Sequence, residues 1–392
     1  MIKRAIEEKI LKDFGKGKVI LVLGARQVGK TTLLQQLARN AQRPLFLNCD
    51  NADDRELLSH ASTTSLVSLA GNADFILIDE AQRVGNIGLV LKMLADTVGK
   101  RSQVVATGSS ALELADGIFE SAVGRVFEYR LYPFSFGELA GSPSDIRSEK
   151  RLLESRLVYG SYPEAAMSSG DARRILESIV NGALYKDILA FGGIRKSDVL
   201  MRLVQCLSLQ TGSEVSYGEL AAAIGINKAT VESYIDLLEK TFVVFRLPSL
   251  SRNARNEIRK GRKIYFWDNG IRNAVTGNFA PTTLRQDTGA LWENYLVSER
   301  MKATAYAQIP ARGYFWRTTA QSEIDYVEET DGRIGAYEFK WSVRRRPRQP
   351  VAFQSAYPGS SWTVVTPENY VDFLVDPASD VLKLGIQRGL TP

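Results

Sequence analysis

Runs of consecutive apolar residues recur through the first third of the chain. The clearest is KVILVLG at 18–24, and similar runs lie at 44–49, 73–79, 103–108 and 126–131. An uninterrupted apolar run of this length is typical of a strand that is buried on both faces of a parallel sheet. Charged or amphipathic segments with helical spacing lie between the runs. Strands that alternate with helices predict a doubly wound α/β domain.

The pattern changes after residue 133, where proline and glycine interrupt the chain. Residues 150–210 have helical apolar spacing. Residues 214–267 then show a short helix, a glycine turn, a second helix with Asn227 as its N-cap, and two strands. This is the element order of a winged helix-turn-helix. From about 290 the chain returns to α/β, with a helix, three strands and a late strand, SWTVVTP.

Composition and charge exclude several classes of protein. The chain has 392 residues, with 50 basic and 44 acidic side chains, for a net charge of +6. Two cysteines and one histidine exclude a disulfide framework, a zinc cluster and Ser-His-Asp chemistry. No apolar run is long enough to span a membrane. The amphipathic start, MIKRAIEEKILKDF, is not a secretory signal, so we expect no membrane partner and a cytoplasmic location.

A phosphate-binding motif, GARQVGKT, follows the first apolar run. Its glycines let backbone N–H groups face phosphate oxygens, and the helix that begins at Lys30 directs its positive dipole end at the same anion. Lys30 is expected to neutralise the β- and γ-phosphates of ATP, and Thr31 to ligate Mg²⁺. The predicted nucleotide-binding residues are Gly24, Ala25, Arg26, Gln27, Val28, Gly29, Lys30, Thr31 and Thr32. The alternative is a glycine-rich turn that binds nothing.

Two acids end the third apolar run, FILIDE. Asp79 emerges at the carboxyl end of that strand and is expected to hold Mg²⁺ through water. Glu80 is placed to orient and polarise the attacking water, which makes it the predicted catalytic base. The alternative is a strand that simply ends in two solvated acids.

Three further residues are candidates for catalysis. Thr107 and Ser109 end the next strand, where a hydroxyl can contact the γ-phosphate or the lytic water, or cap the following helix. Arg125 precedes the fifth strand and is placed to reach the nucleotide of a neighbouring subunit. Alternatively, Arg125 is a surface arginine with a local acidic partner.

A group of acids near the end of the chain suggests a second site. Asp325 lies on one predicted strand, and Glu338 and Lys340 lie on one face of the next. Glu293, on the preceding helix, adds a third acid. Acids of this kind bind Mg²⁺ and the lysine orients water, which is the pattern of a restriction-type nuclease site. The alternative is a hairpin with solvated charges.

Basic residues cluster in the loop of the predicted wing, where they would meet a DNA backbone or minor groove. They are Arg252, Arg255, Arg259, Lys260, Arg262 and Lys263. A second cluster lies at 344–348. The alternative for both clusters is that they are solvated surface charge. The predicted recognition helix is rich in acids (Glu232, Asp236 and Glu239), so we expect contacts with the DNA backbone, or packing against protein, and not base reading.

The motifs, taken in order, resemble those of a known family. GARQVGKTTL, FILIDEAQ, ATGSSALEL, GRVFEYRLYPFSF, GSYPEA, YKDI, IYFWDNGIRNA, LWENYLVSE and YFWRT…SEIDYV…YEFK are similar to a bacterial and archaeal family of AAA+ ATPases. Its members fuse an ATPase core to a winged helix and a carboxyl-terminal domain of unknown function. The resemblance implies an ASCE-type P-loop site at Lys30, Thr31, Asp79 and Glu80. It also implies a restriction-endonuclease-like (PD-(D/E)xK) core onto which Glu293, Asp325, Glu338 and Lys340 map.

We therefore predict an α/β protein with four domains: an AAA+ P-loop ATPase domain at 1–140, a helical lid at 141–210, a winged helix-turn-helix at 211–270 and a restriction-endonuclease-like domain at 271–392. The expected function is Mg²⁺-dependent ATP hydrolysis coupled to DNA remodelling in repair or fork processing, with ATP and Mg²⁺ as cofactors and DNA as partner. A homo-oligomer is expected, with a hexameric ring as one form that it can take. The alternatives are a signalling or defence switch with a protein-docking carboxyl-terminal module, and an ATP-gated DNA nuclease.

Overall fold

The protein is described by a computed structural model, which covers residues 2–108, 122, 124–141, 143–184, 197–251, 261–343 and 347–375. The described residues fall into two compact units. The first contains the part of the chain up to Pro133, together with residues 240–242, and the second contains the rest from Phe134 onward. The three segments predicted as separate domains after residue 140 therefore lie mainly in one unit, and their division stays a prediction.

The first unit is built on a five-stranded parallel sheet. Its strands are β1 (Val19–Leu23), β2 (Pro44–Asn48), β3 (Phe75–Asp79), β4 (Gln103–Gly108) and β5 (Val126–Arg130), and their order across the sheet is β2-β3-β4-β1-β5. All neighbours run parallel. The three central strands β1, β3 and β4 are buried along their whole length. The predicted parallel α/β core is confirmed, and each strand lies within a residue or two of its predicted position.

One helix precedes these strands and four others connect them in the described part of the chain. They are α1 (Glu7–Lys12), α2 (Lys30–Leu37), α3 (Ala52–Ser59), α4 (Thr63–Ala70) and α5 (Ile87–Thr97), with a 3₁₀ turn at Ala81–Arg83. Strand β4 lies between β1 and β3. Because parallel strands end at the same edge of a sheet, the carboxyl ends of β1, β3 and β4 bring three loops together.

The second unit begins with short helices, as the apolar spacing predicts. They are α6 (Phe136–Leu139), α7 (Pro143–Arg151), α8 (Leu153–Tyr159), α9 (Pro163–Met167), α10 (Ala172–Ile179), a π-helical turn at Val180–Leu184, and α11 (Ser197–Leu209). The helix α14 (Asn269–Thr276) packs on α8, where the Asn273 amide donates to the carbonyls of Leu157 (3.0 Å) and Val158 (2.8 Å). These contacts tie the helical segment to the carboxyl-terminal half.

Two helices and a small antiparallel sheet lie between α11 and α14 in the sequence. The elements are β6 (Glu214–Val215), α12 (Tyr217–Ile224), α13 (Lys228–Lys240), β7 (Val244–Pro248) and β8 (Arg262–Phe266), and the sheet order is β6-β8-β7. Asn227 caps α13, since its side-chain oxygen accepts a hydrogen bond of 2.7 Å from the Thr230 N–H. The winged helix-turn-helix interpretation of this segment stays a prediction.

A mixed four-stranded sheet forms the carboxyl-terminal part. The strands β9 (Arg312–Arg317), β10 (Glu323–Thr330) and β11 (Arg333–Phe339) are antiparallel, and β12 (Ser361–Val365) runs parallel to β11. A 3₁₀ turn at Thr282–Leu284 and the long helix α15 (Thr288–Ala307) precede these strands, α16 (Val351–Ala356) lies between β11 and β12, and α17 (Tyr370–Val375) follows β12. The nuclease-like interpretation of this sheet also stays a prediction.

One buried ion pair joins α15 to this sheet. The Arg300 guanidinium contacts Glu328 on β10 through two bonds of 2.8 and 2.7 Å, and it donates a third of 2.6 Å to the Phe373 carbonyl. Burial of a charge is tolerated when its partner and its hydrogen bonds are supplied in this way. Within the described part of the chain, no helix is both long and apolar enough to cross a membrane.

Candidate nucleotide-binding site

The predicted phosphate-binding loop lies between β1 and α2. Gly24 follows β1 directly, and a Cβ at this position would lie 2.2 Å from the Leu131 carbonyl oxygen, so no larger residue fits. Gly29 has φ +94°, a backbone conformation that glycine adopts without strain. It precedes α2 without any side-chain cap. A helix start without a side-chain cap directs its first-turn N–H groups at an anion.

Lys30 opens helix α2 and is almost fully buried. Its ammonium group donates to the carbonyls of Gly24 (3.1 Å) and Ala25 (2.9 Å), so it lies over the loop that it is predicted to serve. The remaining predicted nucleotide-binding residues occupy the same loop and the first turn of the helix: Arg26, Gln27, Val28, Thr31 and Thr32. The structure thus gathers all nine around one helix start.

A hydroxyl–carboxylate–hydroxyl chain joins three elements at the carboxyl edge of the sheet. The Thr31 hydroxyl on α2 donates to the Asp79 carboxylate at the end of β3, over 2.6 Å. The Thr107 hydroxyl on β4 donates to the other Asp79 oxygen. Asp79 is only 3% exposed. The sequence placed these residues on separate elements, and the sheet order brings them into contact.

Glu80 has a distinctive environment beside this chain. Its backbone is left-handed (φ 52°), and its N–H lies 3.3 Å from the Thr107 hydroxyl oxygen. Its carboxylate accepts a hydrogen bond from the Gln82 amide. Sequence reasoning missed Gln82. The signal was its position two residues after the acid, in the segment DEAQ.

Arg4 is a second residue that sequence reasoning missed. Its guanidinium is buried and donates to the carbonyl of Val28 in the phosphate-binding loop (2.7 Å) and to that of Tyr132, after β5 (2.6 Å). We interpreted the start of the chain as one amphipathic helix, but α1 begins only at Glu7. Arg4 therefore precedes the helix, and its guanidinium supports the phosphate-binding loop.

Arg125 lies just before β5, and its side chain is partly exposed. Its Nε is 2.6 Å from a carboxylate oxygen of Asp96. This is the local acidic partner of the alternative interpretation. Contact with the nucleotide of another subunit stays a prediction.

The side chains at this edge fit a magnesium nucleotide. Mg²⁺ takes hard oxygen ligands, and the Thr31 hydroxyl and the Asp79 carboxylate are two such ligands within hydrogen-bonding distance of each other. The uncapped helix start and the Lys30 ammonium fit a polyphosphate. The arrangement can hold a charged triphosphate beside a carboxylate, Glu80, that is able to accept a proton.

The carboxyl-terminal acids also come together. Tyr326 pairs with Tyr337 in the register of β10 and β11, so Asp325 and Glu338 are neighbours across the two strands. The Asp325 carboxylate accepts a hydrogen bond of 2.8 Å from the Phe339 N–H, and Lys340 pairs with Glu338 at 2.6 Å. Burial raises the pKa of Asp325 and of Glu338, and the nearby Asp325 charge raises that of Glu338 further.

Glu293 on α15 lies beside this pair and has two donors of its own. Tyr265 donates its hydroxyl hydrogen to Glu293 (2.6 Å), and the Lys263 ammonium is 3.0 Å from the same oxygen. Burial raises the pKa of Glu293 to about 7, against the pull of Lys263 and with a contribution from Asp325. In the described ranges, no three or more His, Cys, Asp or Glu side chains form a group suited to a metal ion.

The predicted DNA-binding residues are only partly described. Arg252, Arg255, Arg259 and Lys260 lie outside the described residues, as does the 344–346 part of the second basic cluster. Arg262 is partly buried, with its guanidinium 5.6 Å from the centre of the Tyr217 ring. The expectation for Lys263 is wrong: it does not lie on a DNA-facing surface but is 1% exposed and paired with Glu293 and Glu323.

The acids of α13 are also engaged within the protein. Arg246 on β7 pairs with Asp236 and with Glu239, and the Glu239 carboxylate accepts from the Arg246 N–H over 2.6 Å. Arg246 therefore neutralises part of the acidic character that made this helix poorly suited to base reading.

Comparison with known families divides the chain into three. Residues 16–140 match a family described as "AAA domain", residues 150–282 match "Domain of unknown function (DUF8612)", and residues 288–383 match "Domain of unknown function (DUF4143)". The first match covers the whole predicted nucleotide site.

Similar proteins occur in distant organisms. An uncharacterized protein of Mycobacterium tuberculosis is 26% identical over 342 residues, which cover 86% of this chain and 74% of that protein. One of Haemophilus influenzae is 23% identical over 75% of this chain and 74% of its own length. Among solved structures, the Walker-type ATPase PABY2304 of Pyrococcus abyssi matches with a TM-score of 0.48 and 14% identity, over 70% of this chain and 96% of that chain. The match to an AAA domain at 16–140 covers most of the first unit, and the loop between β1 and α2 lies within it.

Proposed function

We propose that the protein is a Mg²⁺-dependent ATPase of the AAA+ type that binds DNA and couples ATP turnover to DNA remodelling, of the helicase or branch-migration kind. The observation that carries the ATPase proposal is the contact of Thr31, Asp79 and Thr107 at one sheet edge, beside Lys30 and Glu80. The match of residues 16–140 to an AAA domain supports it.

Each side chain has a defined role in this proposal. The first-turn N–H groups and Lys30 hold the β- and γ-phosphates, and Thr31 and Asp79 hold Mg²⁺, which neutralises charge that develops on the transferring phosphoryl group. Glu80 orients a water molecule whose oxygen forms a bond to the γ-phosphorus as the bond to ADP breaks. The proton of that water passes to Glu80. Thr107 fixes the Asp79 carboxylate and the Glu80 backbone through its hydroxyl.

Binding to DNA is supported by a different part of the chain. The net charge is +6, and the sequence between β7 and β8 contains four of the six predicted DNA-contacting residues. The helix pair α12–α13, followed by antiparallel strands, has the element order of a winged helix. Contacts of these basic residues with DNA would be mainly to phosphates. Assembly into a homo-oligomeric ring, in the cytoplasm, belongs to the same proposal.

The experiment is ATP turnover with no DNA and with single-stranded, duplex and branched DNA at low salt. We expect DNA to stimulate turnover, with an affinity that falls steeply as salt rises, because each neutralised phosphate releases counterion. A variant in which Arg252 and Arg255 are alanine should lose stimulation and keep basal turnover. ATP turnover without any DNA binding at low salt would reject remodelling and favour a signalling or defence switch, in which the carboxyl-terminal part of the chain is the protein-docking module.

The position of Arg125 tests the oligomer. Arg125→Ala protomers are mixed with Lys30→Ala protomers, each inactive alone if Arg125 acts on a neighbouring subunit. In mixed rings, an intact Arg125 then faces an intact Lys30 site, and activity should return. Absence of rescue, or full activity of Arg125→Ala alone, would assign Arg125 to its local pair with Asp96.

A further inference from the structure

A lysine is buried among carboxylates where strand β8 meets the carboxyl-terminal sheet. Lys263 is 1% exposed, and its ammonium group lies 3.0 Å from Glu293 on α15 and 2.6 Å from Glu323 on β10. Burial of an unpaired ammonium group is prohibitively costly, so a lysine at this position requires such partners. Asp325, which shares β10 with Glu323, acts on Lys263 through its charge.

Other groups of the chain complete the enclosure of this ammonium. The face of the Phe315 ring lies 5.5 Å from it, and the Tyr265 hydroxyl donates to the same Glu293 oxygen that Lys263 contacts. Gly212 approaches closely on the remaining side, since a Cβ there would lie 3.1 Å from the other Glu293 oxygen. Side chains and backbone of the chain therefore enclose the Lys263 ammonium group on several sides.

The carboxylates nearby are occupied by donors of the chain itself. Glu293 accepts from Lys263 and Tyr265, Asp325 accepts from the Phe339 N–H, and Glu338 pairs with Lys340. A divalent cation at these acids would have to displace such donors and would lie beside a buried positive charge. Like charges repel strongly at this range when they are shielded from water.

We infer that Lys263 is the resident cation of this carboxylate cluster, so that in this arrangement the cluster holds an ammonium group of its own chain in place of a divalent metal ion. The ion pairs of this cluster then connect strand β8 to the helix α15 and to the carboxyl-terminal sheet. Metal-dependent cleavage by Asp325, Glu338 and Lys340 is blocked while Lys263 stays in place. This inference is independent of the proposed ATPase activity.

The test is Mn²⁺ binding to the full chain without nucleotide, measured by electron paramagnetic resonance. All proteins carry Asp79→Asn, which removes the metal ligand of the phosphate-binding site. We expect no Asp325-dependent Mn²⁺ binding when Lys263 is intact. Lys263→Met should bind Mn²⁺ at least about tenfold more tightly, because removal of the buried charge leaves the carboxylates uncompensated.

Two further variants make the result specific. Lys263→Arg keeps the charge and should gain no Mn²⁺ affinity, and Asp325→Asn added to Lys263→Met should abolish the gain. A folded Lys263→Met protein that gains nothing would overturn the inference. If that variant does not fold, the protein with Lys263 intact decides by itself: Mn²⁺ binding that Asp325→Asn removes refutes the inference, and absence of such binding supports it.

Discussion

The guanidinium of Arg4 offers a sharp test of how the phosphate-binding loop is held in shape. It donates to the Val28 carbonyl inside the loop and to the Tyr132 carbonyl after β5, over 2.7 and 2.6 Å. Arg4 is only 4% exposed, so water does not replace these bonds when the side chain is shortened. We expect Arg4→Met to loosen the loop and to weaken nucleotide binding.

The size of the effect follows from the two bonds. A hydrogen bond to a charged donor contributes about 1.5–3 kcal/mol. Only the bond to Val28 lies in the loop itself, so we assign that one bond to nucleotide affinity. Because each 1.4 kcal/mol corresponds to a factor of ten in Kd, ATP should bind about 10–100-fold more weakly. The bond to Tyr132 adds a similar amount to the loss of folding stability.

Titration calorimetry with ATP and Mg²⁺ measures the affinity, and thermal unfolding measures the stability. The neighbouring Lys3 provides a matched control, because its exposed ammonium pairs with Glu8 and not with the loop in this contact. Lys3→Met should bind ATP as the unaltered protein does. If Arg4→Met is folded and binds ATP within twofold of the unaltered protein, the loop does not depend on Arg4 and this reasoning is refuted.

Three other predictions test separate parts of the molecule. Glu80→Gln should keep its ATP affinity and lose about 10²–10⁴-fold in turnover, because proton acceptance is lost; normal phosphate release would remove Glu80 from its role. The raised pKa of Glu293, from 4.5 to about 7, adds stability that is complete below pH 4.5 and is lost as pH rises through 7. The free energy of unfolding of Glu293→Gln, relative to that of the unaltered protein, should therefore rise by about 1–3 kcal/mol from pH 5 to pH 8 in thermal melts. A difference that does not change with pH would contradict this. Arg300→Met should lower the free energy of unfolding by about 3–5 kcal/mol in denaturant melts, because it leaves the buried Glu328 carboxylate without its partner. Arg173→Met, at an exposed ion pair, should lower it by under about 1 kcal/mol. Equal losses would show that burial is not the cause.

Sequence reasoning succeeded where one local pattern determines one element. The strands β1, β3 and β4 are continuous apolar runs with few alternatives, and the loop from Gly24 to Thr31 requires glycines at fixed places for steric reasons. The proximity of Asp79 to Thr31 follows from the rule that parallel strands end at one edge. These features depend on the polypeptide backbone, which the sequence pattern reveals.

Contacts between distant segments were harder to predict. Lys263 belongs to a run of basic residues, and nothing in the sequence of that run distinguishes it from the other members. Its burial results from strand pairing, since Lys263 is opposite both Glu214 on β6 and Leu247 on β7. Arg4 was missed in the same way, because the amphipathic pattern of the sequence begins several residues before the helix α1 does. In both cases the partner is a group far along the chain, and spacing carries no information about it.

The central claim is that the first unit binds ATP and Mg²⁺ through the loop at 24–31 and the ammonium group of Lys30. Titration calorimetry with ATP and Mg²⁺ tests it directly, on the unaltered protein, on Lys30→Met and on the exposed-lysine control Lys100→Met. We predict saturable heat from one nucleotide per chain for the unaltered protein and for Lys100→Met, and none for Lys30→Met. No heat from the unaltered protein, or equal binding by Lys30→Met, would contradict the claim.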